Sequence, residues 1–458
     1  MAGRAATDKV IRGRFAISVN DPGHSLPPGW VRVLLSDIAE LGTGHTPSRQ
    51  HPEYWDGDVP WIGIRDAGAH HGGVIKVTNQ YITNLGLENS AAVLLPKDTI
   101  CLSRTASVGY VVKMGRRMAT SQDFVNWTCS AGLCPDYLMN ALLAEGDEIR
   151  RFGEGSTHTT IYFPQVKAFH IDLPPLAEQK RIVAKLNALS AKSARARTEL
   201  ARIETLVSRY KQAVLDKAFS GKLGQKNLGD LVVRIKAGKN LQCDERPPHP
   251  HEKGVVKVSA VTWGAFRAEQ SKTLPQDFEP DEDTRIKSGD FLFSRANTLE
   301  LVGAVVIVAE VPENLYLSDK ILRLDFNEPV GTWLLWYLRS PMGREALMNI
   351  SSGNQLSMRN IGQKSLLSLS VPYANAAIRT EIVSRIKTAF AHIDRLAAEA
   401  KRALALVGKL DEAIHAKAFR GELVPQDEND EPASVLLERI RAERAAELKP
   451  KRGRTARP

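Results

Sequence analysis

Between residues 175 and 223 the chain places an apolar or small residue at alternating steps of four and three. The positions are Ile182, Leu186, Leu189, Ser193, Ala196, Leu200, Ile203, Val207, Tyr210 and Val214. This is the a/d stripe of a heptad pattern, and it predicts a long helix with one narrow apolar face. No proline falls between Pro175 and Pro247 to break it from inside. At ~1.5 Å per residue the stripe is about 50 Å long. The same stripe returns further on, in the same register, at Ile382, Ile386, Ala389, Ile393, Leu396, Ala400, Ala403, Val407, Leu410 and Ile414. Both stretches end alike, in Lys217-Ala218-Phe219-Ser220-Gly221-Lys222-Leu223 and Lys417-Ala418-Phe419-Arg420-Gly421-Glu422-Leu423. Each glycine stands where a helix is expected to stop in a left-handed cap. Two such helices can cover their stripes on each other, so an antiparallel coiled coil is expected.

The segments between the helices have a different pattern. All seven Trp lie there. Strands are predicted at 61–65, 99–103 and 108–113, a short helix at 136–151, a polar loop at 153–160 and a last strand at 166–173. Pro174-Pro175 then closes the unit. After Leu223 the order repeats. Leu228-Gly229-Asp230-Leu231 echoes Leu35-Ser36-Asp37-Ile38, and strands ending in Ser103-Arg104 and Ser294-Arg295 are followed by Gly109 and Gly303. A second short helix is predicted at 332–348. Gly353-Asn354-Gln355 precedes Pro372 by the same interval that separates Gly155-Ser156-Thr157 from Pro174. The plan is a duplicated half. It runs as a flexible leader (1–25), globular domain (26–174), long helix (175–223), globular domain (224–372), long helix (373–424) and tail (425–458). The fold class is α+β, with two similar globular domains separated by two long helices in a pseudo-two-fold repeat. In the tail, 434–448 reads as a helix capped by Ser434, and 449–458 carries five basic residues and no acid.

A chain of 458 residues exceeds one ordinary core. No apolar run approaches 18 residues, so no membrane span is expected, and the first residues lack the apolar run of a signal peptide. The four cysteines form no Cys-x-x-Cys pair, which fits reduced thiols in the cytoplasm. The net charge is +10, and +7 of it falls on 175–223, against −3 on 28–174 and 0 on 224–372. Such an excess suits a polyanionic partner such as nucleic acid. A solvated coiled-coil face would carry it equally well.

Several motifs then fall into order. They are Leu26-Pro27-Pro28-Gly29-Trp30, Gly44-His45-Thr46-Pro47-Ser48, Glu53-Tyr54-Trp55 with Val59-Pro60-Trp61, the Gly155 loop, and Leu173-Pro174-Pro175-Leu176-Ala177-Glu178-Gln179. With the Lys-Ala-Phe-x-Gly-x-Leu ends and Leu423-Val424-Pro425-Gln426, the chain resembles the specificity subunit of Type I restriction-modification systems over about residues 26–448. The resemblance implies that each globular domain is a target-recognition domain for one half of a split site in double-stranded DNA. It implies helices that act as spacer and as platform for two modification (methyltransferase) subunits, joined by restriction (nuclease and translocase) subunits. S-adenosylmethionine, ATP and Mg²⁺ would belong to those partners, and no cofactor or metal to this chain. One departure is Val371-Pro372-Tyr373-Ala374-Asn375, which lacks the Glu-Gln pair before the second helix and puts a partner contact there in doubt.

The residues themselves agree that the chain is non-catalytic. There is no Gly-x-x-x-x-Gly-Lys-Ser/Thr loop for ATP and no Asn/Asp-Pro-Pro-Phe/Tyr motif of an amino-methyltransferase. Candidate DNA contacts are Arg104 and Arg295, each after a strand and a serine and able to reach guanine edges or phosphates. The loops offer Ser156, Thr157 and His158, and Asn354, Gln355 and Ser357, with carboxamides suited to adenine. Thr46, Ser48, Arg49 and Arg65 complete the set. Tyr54 and Trp61 are read as core. The rival class is a coiled-coil adaptor whose globular domains bind protein or glycan.

Overall fold

The computed structural model describes residues 6–20, 23–105, 107–154, 159–355 and 358–447. The chain divides into two units, residues 1–198 with 404–458, and residues 199–403. Each unit contains part of both long helices, Leu176–Phe219 and Ala376–Ala418. Among the described residues no helix is long and apolar enough to cross a membrane.

In the first unit the strand Ile100–Ser103 is central. It pairs antiparallel with Phe124–Cys129 on one side and Val111–Met114 on the other, and Phe124–Cys129 in turn pairs with Ala39–Thr43. Ile100–Ser103 is buried throughout, as is the first part of Phe124–Cys129. That is why Ile100–Ser103 shows no apolar-polar alternation. In the second unit Phe291–Ser294 takes the same place between Ile321–Phe326 and Val305–Ile307, with Val232–Ala237 beyond. The duplication is thus one of strand order as well as of motif.

Several elements differ from expectation. The leader is not a flexible appendage over its described part: Ile11–Arg12 and Ile17–Val19 extend a sheet through Phe169–Leu173 to Val31–Leu34. Ala16, Ile17 and Val19 are buried, and the Glu145 carboxylate accepts the backbone N–H of Phe15 at 3.0 Å and of Ile17 at 3.3 Å. Burial raises the Glu145 pKa against the lowering effect of those backbone N–H groups. The segment expected as a strand at 166–173 begins as a short helix, Phe163–Lys167. The helix expected at 332–348 is two helices, Gly331–Arg339 and Pro341–Ile350. Proline at the first helical position and Ser340, whose hydroxyl accepts Gly343 N–H at 3.1 Å, restart the chain there. The tail helix, Ala433–Glu447, begins before Ser434, which therefore lies inside it and does not cap it.

In each unit the helix segments run antiparallel. In the first, Ile182 and Leu186 share a core with Ile414 and Ala418, and Arg197 pairs with Asp411 at 2.5 Å. In the second, Leu215 and Phe219 share a core with Ile386, and Lys211 pairs with Asp394 at 2.5 Å. The two phenylalanines of the repeated endings anchor them. Phe419 meets Tyr137 edge-on at 5.6 Å, and Phe219 meets Trp333 at 4.9 Å. Gly421 adopts φ 73°, the left-handed cap expected, whereas Gly221 does not share it.

The seam is covered unevenly. Ile182, Leu186, Ile386 and Ile393 are buried, and Leu189, Leu200, Ile203, Val207, Ile382 and Val407 are half-buried. Leu396 and Leu410 are 46% and 54% exposed, contrary to expectation, and Tyr210 is 67% exposed. A straight α-helix drifts about 20° per heptad from a 3.5-residue repeat, so the stripe turns partly out of the contact along its length.

The helix starts are locked in two ways. In the first unit Glu178 and Gln179 are buried. Glu178 accepts the Trp30 indole N–H at 3.0 Å, and Gln179 accepts Cys134 N–H at 2.8 Å while donating to the carbonyls of Gly132 and Pro174, both at 3.0 Å. This pair is an internal clamp, both side chains being buried. In the second unit Arg379, also buried, donates to Glu328 at 2.5 Å, Tyr373 donates to the other Glu328 oxygen at 2.8 Å, and Asn375 caps the helix by accepting Ile378 N–H at 3.0 Å. The departure from Leu-Ala-Glu-Gln is a substituted lock.

Candidate nucleic-acid interface

In the first unit the interface grows from a close backbone approach. A Cβ on Gly44 would lie 2.1 Å from the Ser121 carbonyl and 2.2 Å from that of Thr120. Only glycine lets residues 44–49 lie against 120–122. His45 N–H donates to the Thr120 carbonyl at 2.9 Å, and the Trp61 indole donates to the His45 carbonyl at 3.0 Å. Trp61 is buried, as expected. Tyr54 is half-buried and stacks on His51.

On that frame the exposed Gln122 accepts from the Thr46 hydroxyl through its side chain, and its carbonyl accepts from Arg104 Nη2 at 3.1 Å. Arg49 lies 3.6 Å over the Trp55 ring and donates to Gln80 at 2.9 Å. Stacking on an aromatic face holds a guanidinium flat while leaving its edge available. Ser48 is exposed, and its carbonyl accepts the Trp55 indole N–H at 3.2 Å. Thr46, Ser48, Arg49 and Arg104 are therefore linked through Gln122, His45 and the two tryptophans. Arg65 is exposed on the helix Ile64–Ala69 and joins none of these contacts, because the strand expected at 61–65 ends at Ile62.

Arg104 is half-buried. Desolvation lowers its pKa, which the charge of Asp123 partly restores. Its Nε is buried without a partner. Thr105 and Ser121 hold Asp123 at 2.6 and 3.0 Å. The arrangement sets the Arg104 guanidinium beside hydroxyl and carboxamide groups with the Asp123 carboxylate nearby, a chemistry that suits phosphate or guanine-edge contact.

In the second unit Arg295 occupies the same node. Arg104 N–H donates to the Asp123 carbonyl at 2.8 Å and its carbonyl accepts Ile161 N–H at 2.9 Å; Arg295 N–H donates to the Lys320 carbonyl at 3.0 Å and its carbonyl accepts Ile361 N–H at 2.8 Å. Arg295 Nε also donates to Asn360 at 3.3 Å. Asn360 belongs to a small sheet of Ala296–Asn297, Met358–Asn360 and Ser352–Gln355, which brings the exposed Gln355 into the same element as Arg295's neighbours. Ser156, Thr157, His158 and Ser357 lie outside the described residues, as does the side chain of Asn354. The sequence reading missed Gln122, Asp123, Lys320 and Asn360. The spacing of the repeat pointed to the arginines, and nothing local marked the partners.

The family described as the Type I restriction modification DNA specificity domain matches residues 27–205. Over 461 residues the chain is 26% identical to the Type I restriction enzyme EcoKI specificity subunit of Escherichia coli K12, across 92% of this chain and 97% of that one. It is 25% identical to the StySPI specificity subunit of Salmonella potsdam, across 92% and 96%. Two solved structures share the fold. The HsdS subunit from Thermoanaerobacter tengcongensis has a TM-score of 0.60 at 18% identity, over 88% of this chain and 99% of that one. A chain from a structure of type I R-M system assembly and conformational transition has a TM-score of 0.65 at 19% identity, over 88% and 100%. The two units are repeated domains, each with an arginine at the equivalent node. Over nearly its whole length the chain is similar to specificity subunits of Type I restriction-modification systems, and its first part matches the DNA specificity domain of that family.

Proposed function

We propose that the chain recognises a bipartite target in double-stranded DNA, each unit reading one half through the surface around its node arginine. The supporting observation is that Arg104 and Arg295 hang from the same pair of backbone hydrogen bonds in two units whose neighbouring side chains differ. One frame with different contents reads different bases. In the first unit a hydroxyl and a carboxamide, Thr46 and Gln122, flank the arginine; in the second the carboxamide of Asn360 does. Each good base contact discriminates by ~1–3 kcal/mol, so two modest readers multiply into a selective one. The long helices serve as spacer and as platform for two methyltransferase subunits, with nuclease-translocase subunits joining them. In this reading the chain has no catalytic activity, and S-adenosylmethionine, ATP and Mg²⁺ act on the partners.

The test is an exchange. Replacing 26–174 with the matching domain of a relative should change one half of the methylated site and leave the other half and the spacing intact. Simultaneous change of both halves in the methylation pattern would defeat the reading.

A further inference from the structure

In the second unit, apart from the node described above, two arginines line one cavity of about 280 Å³. Arg339 ends the helix Gly331–Arg339, and Arg344 lies in the next helix, Pro341–Ile350. Arg339 is hydrogen-bonded to backbone carbonyls, and its guanidinium lies 5.9 Å from the centre of the Trp336 ring. Its Nε donates to the Val305 carbonyl at 3.2 Å, and its Nη2 donates to the carbonyls of Val305 and Gly264, both at 2.7 Å. Arg344 Nη2 donates to the Glu300 carbonyl at 2.9 Å. Glu300 also lines the cavity, but its carboxylate pairs with neither arginine. Among the described residues, Arg339 Nη1 and Arg344 Nε and Nη1 have no hydrogen-bond partner.

Other arginines buried in the same unit do have counter-charges. Buried Arg323 in the same unit has Asp283, Asp290 and Asp325 around it, and buried Arg379 has Glu328. Burial pushes both cavity guanidiniums down from the usual arginine pKa, Arg339 to about 10. Desolvated cations without a counter-ion cost stability, and an anion between them removes the cost. Free guanidinium N–H groups match the oxygens of a phosphate. The volume falls below the ~300–1,000 Å³ of a pocket for a drug-sized ligand, and suits one tetrahedral oxyanion with water.

We infer that Arg339 and Arg344 form a binding site for a single phosphate-type oxyanion. Its source is free inorganic phosphate or one phosphate of a DNA backbone; the second source rests on the proposed function, the first does not.

The test uses the full chain and the variant Arg344→Gln, with Arg344→Lys as a charge-retaining control and circular dichroism to confirm folding. Arg339 is left intact because it braces two carbonyls. One arm follows thermal unfolding in inorganic phosphate against chloride at equal ionic strength. The other follows the salt dependence of binding to a 30-base-pair duplex. If the site takes free phosphate, phosphate raises the wild-type unfolding temperature beyond chloride, and Arg344→Gln weakens the apparent affinity about tenfold or more. If it takes a DNA phosphate, the free-anion arm is silent and Arg344→Gln lowers the slope of log K against log salt by about 1. A duplex that fails to bind the wild type at all counts against the proposed function alone, and the phosphate arm then decides the site. The inference is overturned if neither arm responds to Arg344→Gln, or if phosphate stabilises that variant as strongly as the wild type.

Discussion

Substituting Gly44 by alanine should damage one half of recognition through geometry alone. The new Cβ would lie 2.1 Å from the Ser121 carbonyl oxygen and 2.2 Å from the Thr120 carbonyl and hydroxyl oxygens, where real contacts are never under 3.0 Å. Two of the three obstructing atoms are backbone, and Ala119–Thr120 is fixed by parallel pairing to Trp55–Ile62. The loop must therefore retreat by about 1 Å or more. Overpacking of this kind costs ~1–3 kcal/mol of stability. The retreat also strains the Thr46–Gln122 and His45–Thr120 bonds, each worth ~1 kcal/mol. Misplaced base contacts worth ~1–3 kcal/mol should weaken cognate binding roughly five- to hundredfold. Gly42→Ala is the control, since its nearest atoms lie at 3.9 Å. The assay is equilibrium binding of the methyltransferase-bound chain to duplexes altered in one half-site or the other, alongside thermal unfolding. Gly44→Ala should bind weakly and lose discrimination in one half only, while Gly42→Ala behaves as wild type. A folded Gly44→Ala protein with unchanged affinity would refute the reasoning.

Three further outcomes are expected. Arg104→Gln and Arg295→Gln should each relax discrimination in a different half-site, read from methylation of target libraries; relaxation of the same half by both would count against the shared-node reading. Phe419→Ala should cost ~3–5 kcal/mol in urea unfolding, because a buried ring packed on Tyr137 is lost. Hydrogen bonding to Arg379 holds the Glu328 carboxyl below its ordinary 4.5, so its contribution is present above that pH and fades as pH falls through the lower folded value. Glu328→Gln should therefore flatten the stability-versus-pH curve below about 4.5, and a curve that keeps its acid slope would exclude the pair as a source.

The long helices were legible in the sequence because a heptad stripe is a local pattern. Their cover was not, since the stripe says which residues share a face and not what lies opposite, and Leu396 and Leu410 stand exposed on it. The node arginines were legible through the duplication, each after a strand and a serine. Gln122 and Asn360 were not, because each reaches its arginine from a distant part of the chain. Ile17–Val19 was hidden for the same reason. Three residues make no strand by themselves, and Phe169–Leu173 supplies the edge that makes them one. The motif Gly44-His45-Thr46-Pro47-Ser48 was visible, but the reason for its glycine appears only once Thr120 and Ser121 are in place beside it.

The two helix locks limit how the halves can be traded. Gln179 and Arg379 stand at the same register of the repeated stripe, and both are buried. Gln179 answers an N–H and two carbonyls, whereas Arg379 answers a carboxylate. A first-unit body joined to the second helix would meet a guanidinium where it needs a carboxamide, burying a charge without its counter-ion at a cost of several kcal/mol. Crossovers between the repeats are therefore tolerated only when the breakpoint leaves each body with its own helix start, so the joint and the reader are inherited together.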